Sequence, residues 1–99
     1  MNLYQRFDIQ KMKFAAKKIR SLTVPDKIRI IDLLMENKIL TATEIGTKLN
    51  FYQAQTSQHL IQLHRLGIIK RENLDHKFSY SITENVVEDI MRISEALGK

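Results

Sequence analysis

Residues 53–67, QAQTSQHLIQLHRLG, narrow the choice of folds more than any other part of this chain. Leu60, Leu63 and Leu66 recur on one side of a helix. Gln53, Gln55, Thr56, Gln58 and His59 crowd its first two turns with polar side chains. Gly67 stops the helix in the left-handed conformation that a side chain resists. Just upstream, Thr41 or Thr43 caps a short helix over 44–49. Ile45 and Leu49 anchor it, and Gly46 sits where a close helix crossing needs a small residue. Asn50-Phe51-Tyr52 makes the turn between the two. Downstream, 68–73 and 77–82 alternate as the strands of a hairpin with Leu74-Asp75-His76 at its tip.

The flanks complete the plan. Leu3, Phe7, Phe14 and Ile9, Met12, Ala16, Ile19 recur at helical spacing over 3–22. Pro25 suits the first position of a second helix, where its missing N–H is no loss; that helix runs to Asn37. Its inward residues are expected to be Ile28, Ile31, Leu34 and Met35, with Ile30 as a further apolar position and Lys27, Arg29, Asp32 and Glu36 wet. Thr83 caps a last helix over 84–97, whose Val86, Ile90, Ile93 and Leu97 form a narrow seam suited to a partner helix. The order α-α-α-α-β-β-α is mainly α. It is the winged helix plan, with 43–66 as helix-turn-helix and 68–82 as wing.

One Pro and three Gly in 99 residues leave no room for a flexible linker, so a single domain over 1–99 is expected. A domain this small buries a modest core, and spare apolar helix faces are best covered by a second subunit. Residues 1–24 hold six basic groups and one acid, whereas residues 84–99 hold two basic groups and four acids. Those oppositely charged helices, 1–22 and 84–99, are expected to form a homodimer interface through Phe7, Met12, Phe14, Val86, Ile90, Ile93 and Leu97. No apolar run reaches the roughly 18 residues of a membrane span, and the N-terminus lacks the apolar segment of a secretory signal; a cytoplasmic protein is expected.

Net charge is +5, which favours a polyanionic partner. A helix that reads DNA packs one face on its domain and offers hydrogen-bonding side chains to base edges from the other. Gln53, Gln55, Thr56 and Gln58 are the candidate base readers: glutamine pairs with adenine N6 and N7, and threonine offers a hydroxyl or a methyl contact to thymine. Backbone contacts fall to Lys48, Ser57, His59 and Arg65, and on the wing to Lys70, Arg71 and Lys77. Between Glu44 and His59 there is no second acid, so this surface does not repel phosphate. Phe78 and Tyr80 are expected to be half-buried packing instead of base-stacking platforms.

The segment TATEIGTKLNFYQAQTSQHLIQLHRLGIIKREN is similar to the winged helix core of the ArsR-type bacterial repressors, over residues 25 to 83. Ser57-Gln58-His59-Leu60, the Leu63 and Leu66-Gly67-Ile68-Ile69 spacing, and Tyr80 carry the resemblance. It implies a homodimer joined through its first and last helices, bound to double-stranded DNA at an imperfect palindrome and repressing transcription by occluding a promoter. Two positions depart from the pattern. Tyr52 stands where a small capping residue is common, and Thr56 replaces a usual apolar residue, which leaves a half-buried place as the alternative to base reading.

Sensors of that family hold metals with cysteines on the third helix or with histidine and carboxylate sets on the last. This chain has no cysteine, and its last helix offers Glu84, Glu88, Asp89 and Glu95 without a histidine, a poor set for a soft or borderline metal. His59, His64 and His76 form no recognisable site. No metal, no cofactor and no enzymatic activity are expected: a glycine-rich phosphate loop, a nucleophile beside a histidine and a scaffolded acid pair are all missing from the sequence. The inducing signal is not legible. The competing reading is a winged helix protein-interaction module without DNA binding, whose recognition surface would carry acids or exposed apolar residues.

Overall fold

The computed structural model of the chain describes residues 8–98. Its elements are α1 (Ile9–Ser21), α2 (Pro25–Asn37), β1 (Leu40–Thr41), α3 (Ala42–Leu49), α4 (Gln53–Arg65), β2 (Ile69–Leu74), β3 (Lys77–Ile82) and α5 (Glu84–Leu97). The architecture is mainly helical, with the winged helix order expected. One element is additional. Leu40 and Thr41 pair with Tyr80 and Ser79, so the hairpin grows into a three-stranded antiparallel sheet of order β1-β3-β2. Two residues are too few for an alternation of side chains to show in the sequence. β2 and β3 are in register from Ile69↔Ile82 to Leu74↔Lys77. The tip is tighter than expected: Leu74 belongs to the strand, and Asp75 and His76 both take positive φ, as a two-residue hairpin turn with the strands' twist requires.

The core is built around α2. Its Ile30, Ile31 and Leu34 meet Leu40, Ile45, Leu60, Leu63, Ile68 and Ile69, all buried. The expected phase of α2 is corrected here: Ile28 and Met35 face outward, and Lys27, expected wet, is 8% exposed. The helix carries apolar residues over more than half its circumference, so spacing alone does not decide which ones turn in. Lys27 lines a surface cleft with Lys17, Arg20 and Gln62, consistent with a buried aliphatic stem and a wet ammonium.

Local chemistry fixes the helix ends. Thr41 and Glu44 make a reciprocal capping box on α3, with Glu44 N–H donating to Thr41 Oγ1 at 3.1 Å and Thr41 N–H to Glu44 Oε1 at 3.0 Å. α3 ends at Asn50 in the left-handed conformation, with Phe51 N–H reaching the Gly46 carbonyl at 2.9 Å. α4 ends the same way at Gly67 (φ 74°): Ile68 N–H donates to the Leu63 carbonyl and Gly67 N–H to that of His64, both at 3.0 Å. Ile68 and Leu63 are both buried, which sets the direction in which the chain leaves for the wing. Between α2 and β1, Lys38 has φ 60° and ψ −58°, with Ile39 N–H bonded to the Asn37 carbonyl at 2.6 Å. This is a strained γ-turn for a residue with a side chain.

α1 is capped by the Asp8 carboxylate, which accepts from the N–H groups of Gln10 and Lys11. Of its residues only Ser21 is buried, and α5 buries none completely. Met12, Phe14 and Leu97 are exposed, while Val86, Ile90 and Ile93 are half-buried. Leu3 and Phe7 lie outside the described residues. The radius of gyration, 15.2 Å, exceeds the roughly 13 Å of a compact chain of this length. α1 and α5 are thus splayed against a small core, each with apolar surface to spare.

Three stability outcomes follow. Thr41→Ala is expected to lower unfolding free energy by about 1 kcal/mol in urea titrations, through loss of the α3 cap. Lys38→Gly is expected to raise it by roughly 1 kcal/mol by releasing the γ-turn strain. Hydrogen bonding to Thr41, aided by Lys48 and Lys77, holds the Glu44 carboxyl below its ordinary range. The stability from Glu44 is therefore complete above the ordinary carboxylate range and is lost as pH falls through the lowered value. The stability gap between the native chain and Glu44→Ala should close on acidification.

Candidate nucleic-acid interface

The site is the outward face of α4, with α3 and the wing on its flanks. α4 can sit close to α3 because Gly46 has no side chain: a Cβ there would stand 3.1 Å from Thr56 Oγ1 and 3.4 Å from the Phe51 carbonyl oxygen. Thr56 fills this crossing. It is 2% exposed, and its hydroxyl donates to the Tyr52 carbonyl at 3.0 Å. Base reading by Thr56 is thereby corrected, since its only polar atom is sealed between two helices and already bonded. A threonine at an apolar position is tolerated when its own helix takes up the hydroxyl.

A second contact fixes the rotation of α4. Gln55 Nε2 donates to Asp26 Oδ2 at 2.8 Å, and His59 Nε2 lies 3.7 Å from the same oxygen. Both side chains are half-buried on the flank facing α2, and the His59 ring tilts toward Phe51 with centroids 6.2 Å apart. His59 Nδ1 is buried without a hydrogen-bond partner. Gln55 as a base reader and His59 as a backbone contact are accordingly corrected: in this conformation they clamp α4 to the first turn of α2. The sequence hides this pairing because Asp26 and Gln55 are 29 residues apart.

The exposed residues of α4 and its cap are Tyr52, Gln53, Ala54, Ser57, Gln58, Ile61, His64 and Arg65. Gln53, Ser57, Gln58 and Arg65, expected to face DNA, are among the exposed residues. Ala54 and Ile61 are not singled out by the sequence reading, and Tyr52 only as a departure at the cap. The buried set Thr56, Leu60 and Leu63 supplies the missing signal, because a rotation of 100° per residue puts Ala54, Gln58, Ile61 and Arg65 on the opposite side.

Two clefts flank this ridge. One is lined by Thr43, Gly46, Thr47, Gln53 and Ser57, so three hydroxyls and an amide converge between α3 and α4. Thr43 and Thr47 line it, and the sequence reading names neither as a site residue. Lys48, expected as a backbone contact, is one helical turn from Glu44 and helps hold that carboxyl ionised; it does not line the cleft. The other cleft joins α3 and Ser57 to the wing through Lys77, Phe78 and Tyr80.

On the wing, register separates the cations. Arg71, Asn73, Phe78 and Tyr80 share one face of the sheet, while Lys70, Glu72 and Lys77 alternate onto the other. The Arg71 guanidinium lies over the Phe78 ring, 4.5 Å from its centroid. Lys70 is drawn aside to Glu84 at 3.6 Å, an exposed pair that screening weakens. Tyr80 is half-buried against the core as expected, whereas Phe78 is exposed, because the wing projects beyond the core at that point. Among the described residues no group of three or more His, Asp or Glu side chains is placed to hold a metal ion. Among them, too, no helix is long and apolar enough to cross a membrane.

Comparison with known proteins agrees with this geometry. Residues 24–71 match the family described as bacterial regulatory protein, arsR family. The transcriptional repressor PagR of Bacillus anthracis is 30% identical over 78 residues, covering 79% of this chain and 78% of that protein. Its crystal structure superposes with a TM-score of 0.75 at 26% identity, over 87% of this chain and 98% of that one. The homodimeric winged helix-turn-helix DNA-binding domain Mb0332 of Mycobacterium bovis shares the fold with a TM-score of 0.78 at 17% identity, over 90% and 82% of the two chains. This chain belongs to the ArsR family of bacterial regulatory proteins and has its winged helix-turn-helix fold.

Proposed function

We propose that this protein is a cytoplasmic, homodimeric repressor of transcription that binds double-stranded DNA at an imperfect palindrome, the whole chain acting as one domain. The observation that carries the reading is the outward face of α4. It is acid-free and rich in amide and hydroxyl groups, it lies beside a hydroxyl-lined cleft, and it is followed by a basic wing. Gln53 and Gln58 read base edges. Ser57, Thr43 and Thr47 bond phosphate oxygens, and Arg65, Arg71 and Lys77 supply charge. Gln55 and His59 hold the helix at its working angle through Asp26. Repression is known of the relative PagR by its name, and a homodimeric DNA-binding domain is known of Mb0332. The apolar faces of α1 and α5 are the natural seat of the second subunit. No metal or cofactor takes part in this scheme.

One observation favours the second reading, a protein-interaction module: Tyr52 and Ile61 place apolar surface on the recognition face. Duplex binding separates the two. On an operator selected from genomic fragments, Gln58→Ala should lose roughly 1–3 kcal/mol at its own base pair and little on unrelated DNA. Equal loss on every sequence would remove its reading role. Arg71→Ala and Lys77→Ala should each flatten the log–log salt dependence by about 1, with little effect on sequence preference. A protein whose retention on duplex DNA ignores salt would belong to the second class.

The dimer has its own test. Met12 and Phe14 are exposed on the protomer, so replacing both by Glu spares its core. Sedimentation should then report a monomer, with operator affinity down by at least tenfold. An unchanged dimer would move the interface elsewhere.

A further inference from the structure

We infer that the outermost ridge of α4 selects A·T base pairs by touching thymine methyl groups, with Ala54 and Ile61 as the specificity-determining residues. The inference rests on the DNA-binding reading above and names what that surface reads. Thr56, Leu60 and Leu63 define the inward side of the helix, so the residues on the opposite side are Ala54, Gln58, Ile61 and, in the last turn, Arg65, at helical positions i, i+4, i+7 and i+11. Ala54, Gln58 and Ile61 precede Arg65 on that side, toward the N-terminal end by which a recognition helix meets base edges, and two of these three are hydrocarbon. Ile61 is 49% exposed, and Tyr52, at the N-terminal end of the helix, is 84% exposed.

A lone exposed isoleucine is ordinary on a protein surface. This one lies along a single ridge with Ala54 and the amide of Gln58. Thymine alone presents a methyl group in the major groove, and adenine is the base whose N6 and N7 match a glutamine amide. The alternative is poorly provided for. Guanine is read best by the fork of arginine or by lysine, yet from Leu49 to His64 the chain has neither; Arg65 closes the helix. A methyl-and-amide ridge whose one cation lies in the last turn, away from the N-terminal part of the helix that meets base edges, fits A·T pairs.

The experiment selects a duplex operator from random DNA, then compares it with the same duplex carrying deoxyuridine for each thymine under the helix. Uracil lacks only the C5 methyl. The native protein should lose about three- to fivefold in affinity per contacted methyl. Ile61→Ala should discriminate less between the thymine and uracil duplexes by about three- to fivefold, the share of its own methyl contact, while Gln58→Ala keeps the native discrimination. Ile61 is surface-exposed, and an unchanged thermal midpoint for its variant confirms that the fold is intact. Equal affinity of the native protein for the two duplexes, or selected sites with G·C under the helix, overturns this inference alone. Absence of any salt-dependent duplex binding overturns the DNA-binding reading with it.

Discussion

The crossing of α3 and α4 at Gly46 governs the recognition surface. Because a Cβ at Gly46 would press on Thr56 and on the Phe51 carbonyl, a larger residue there requires its neighbours to shift. Thr56 is buried there, with its hydroxyl returned to the Tyr52 carbonyl, and the rest of the helix follows. Leu60 and Leu63 go into the core, while Ala54, Gln58 and Ile61 go out. The Asp26–Gln55 hydrogen bond then resists rotation from the α2 side. Specificity in a recognition helix depends on such pre-set orientation, since groups held near their working geometry lose less entropy on binding.

Charge is arranged with comparable economy. The first turns of α4 carry neither acid nor strong base, and the cations sit at the periphery, at Arg65 and along the wing. Peripheral cations are suited to phosphates, and an uncharged centre is suited to base edges. Arg71 resting on Phe78 keeps its planar head off the wing's hydrogen-bonding edge, and Lys70 is occupied by Glu84. In the proposed complex the wing's share of phosphate contact falls mostly on Arg71 and Lys77.

The fold was largely legible in the sequence because its punctuation is chemical. Pro25 starts a helix, Thr41 with Glu44 forms a capping box, Asn50 and Gly67 take left-handed stops, and the leucines of α4 keep their helical spacing. The site was legible only in part. Gln53, Ser57, Gln58 and Arg65 follow from polarity at the start and end of one helix. Thr56 is turned inward and Gln55 and His59 are held at Asp26, which composition does not show because it reports neither rotation about the helix axis nor a partner 29 residues away. β1 escaped notice because two residues have no periodicity, and the phase of α2 because apolar residues surround most of it. The positions of Thr43 and Thr47 required the α3–α4 angle, which is a tertiary property.

In the proposed complex α4 lies in a major groove, once per subunit. Footprinting of base N7 and backbone positions on a bound operator duplex addresses this most simply. The account predicts two patches of major-groove base protection separated by about 10–10.5 base pairs, or a multiple of that, with backbone protection beyond each patch where the wing lies. Protection of the backbone alone, or of a single patch at saturating protein, would contradict it.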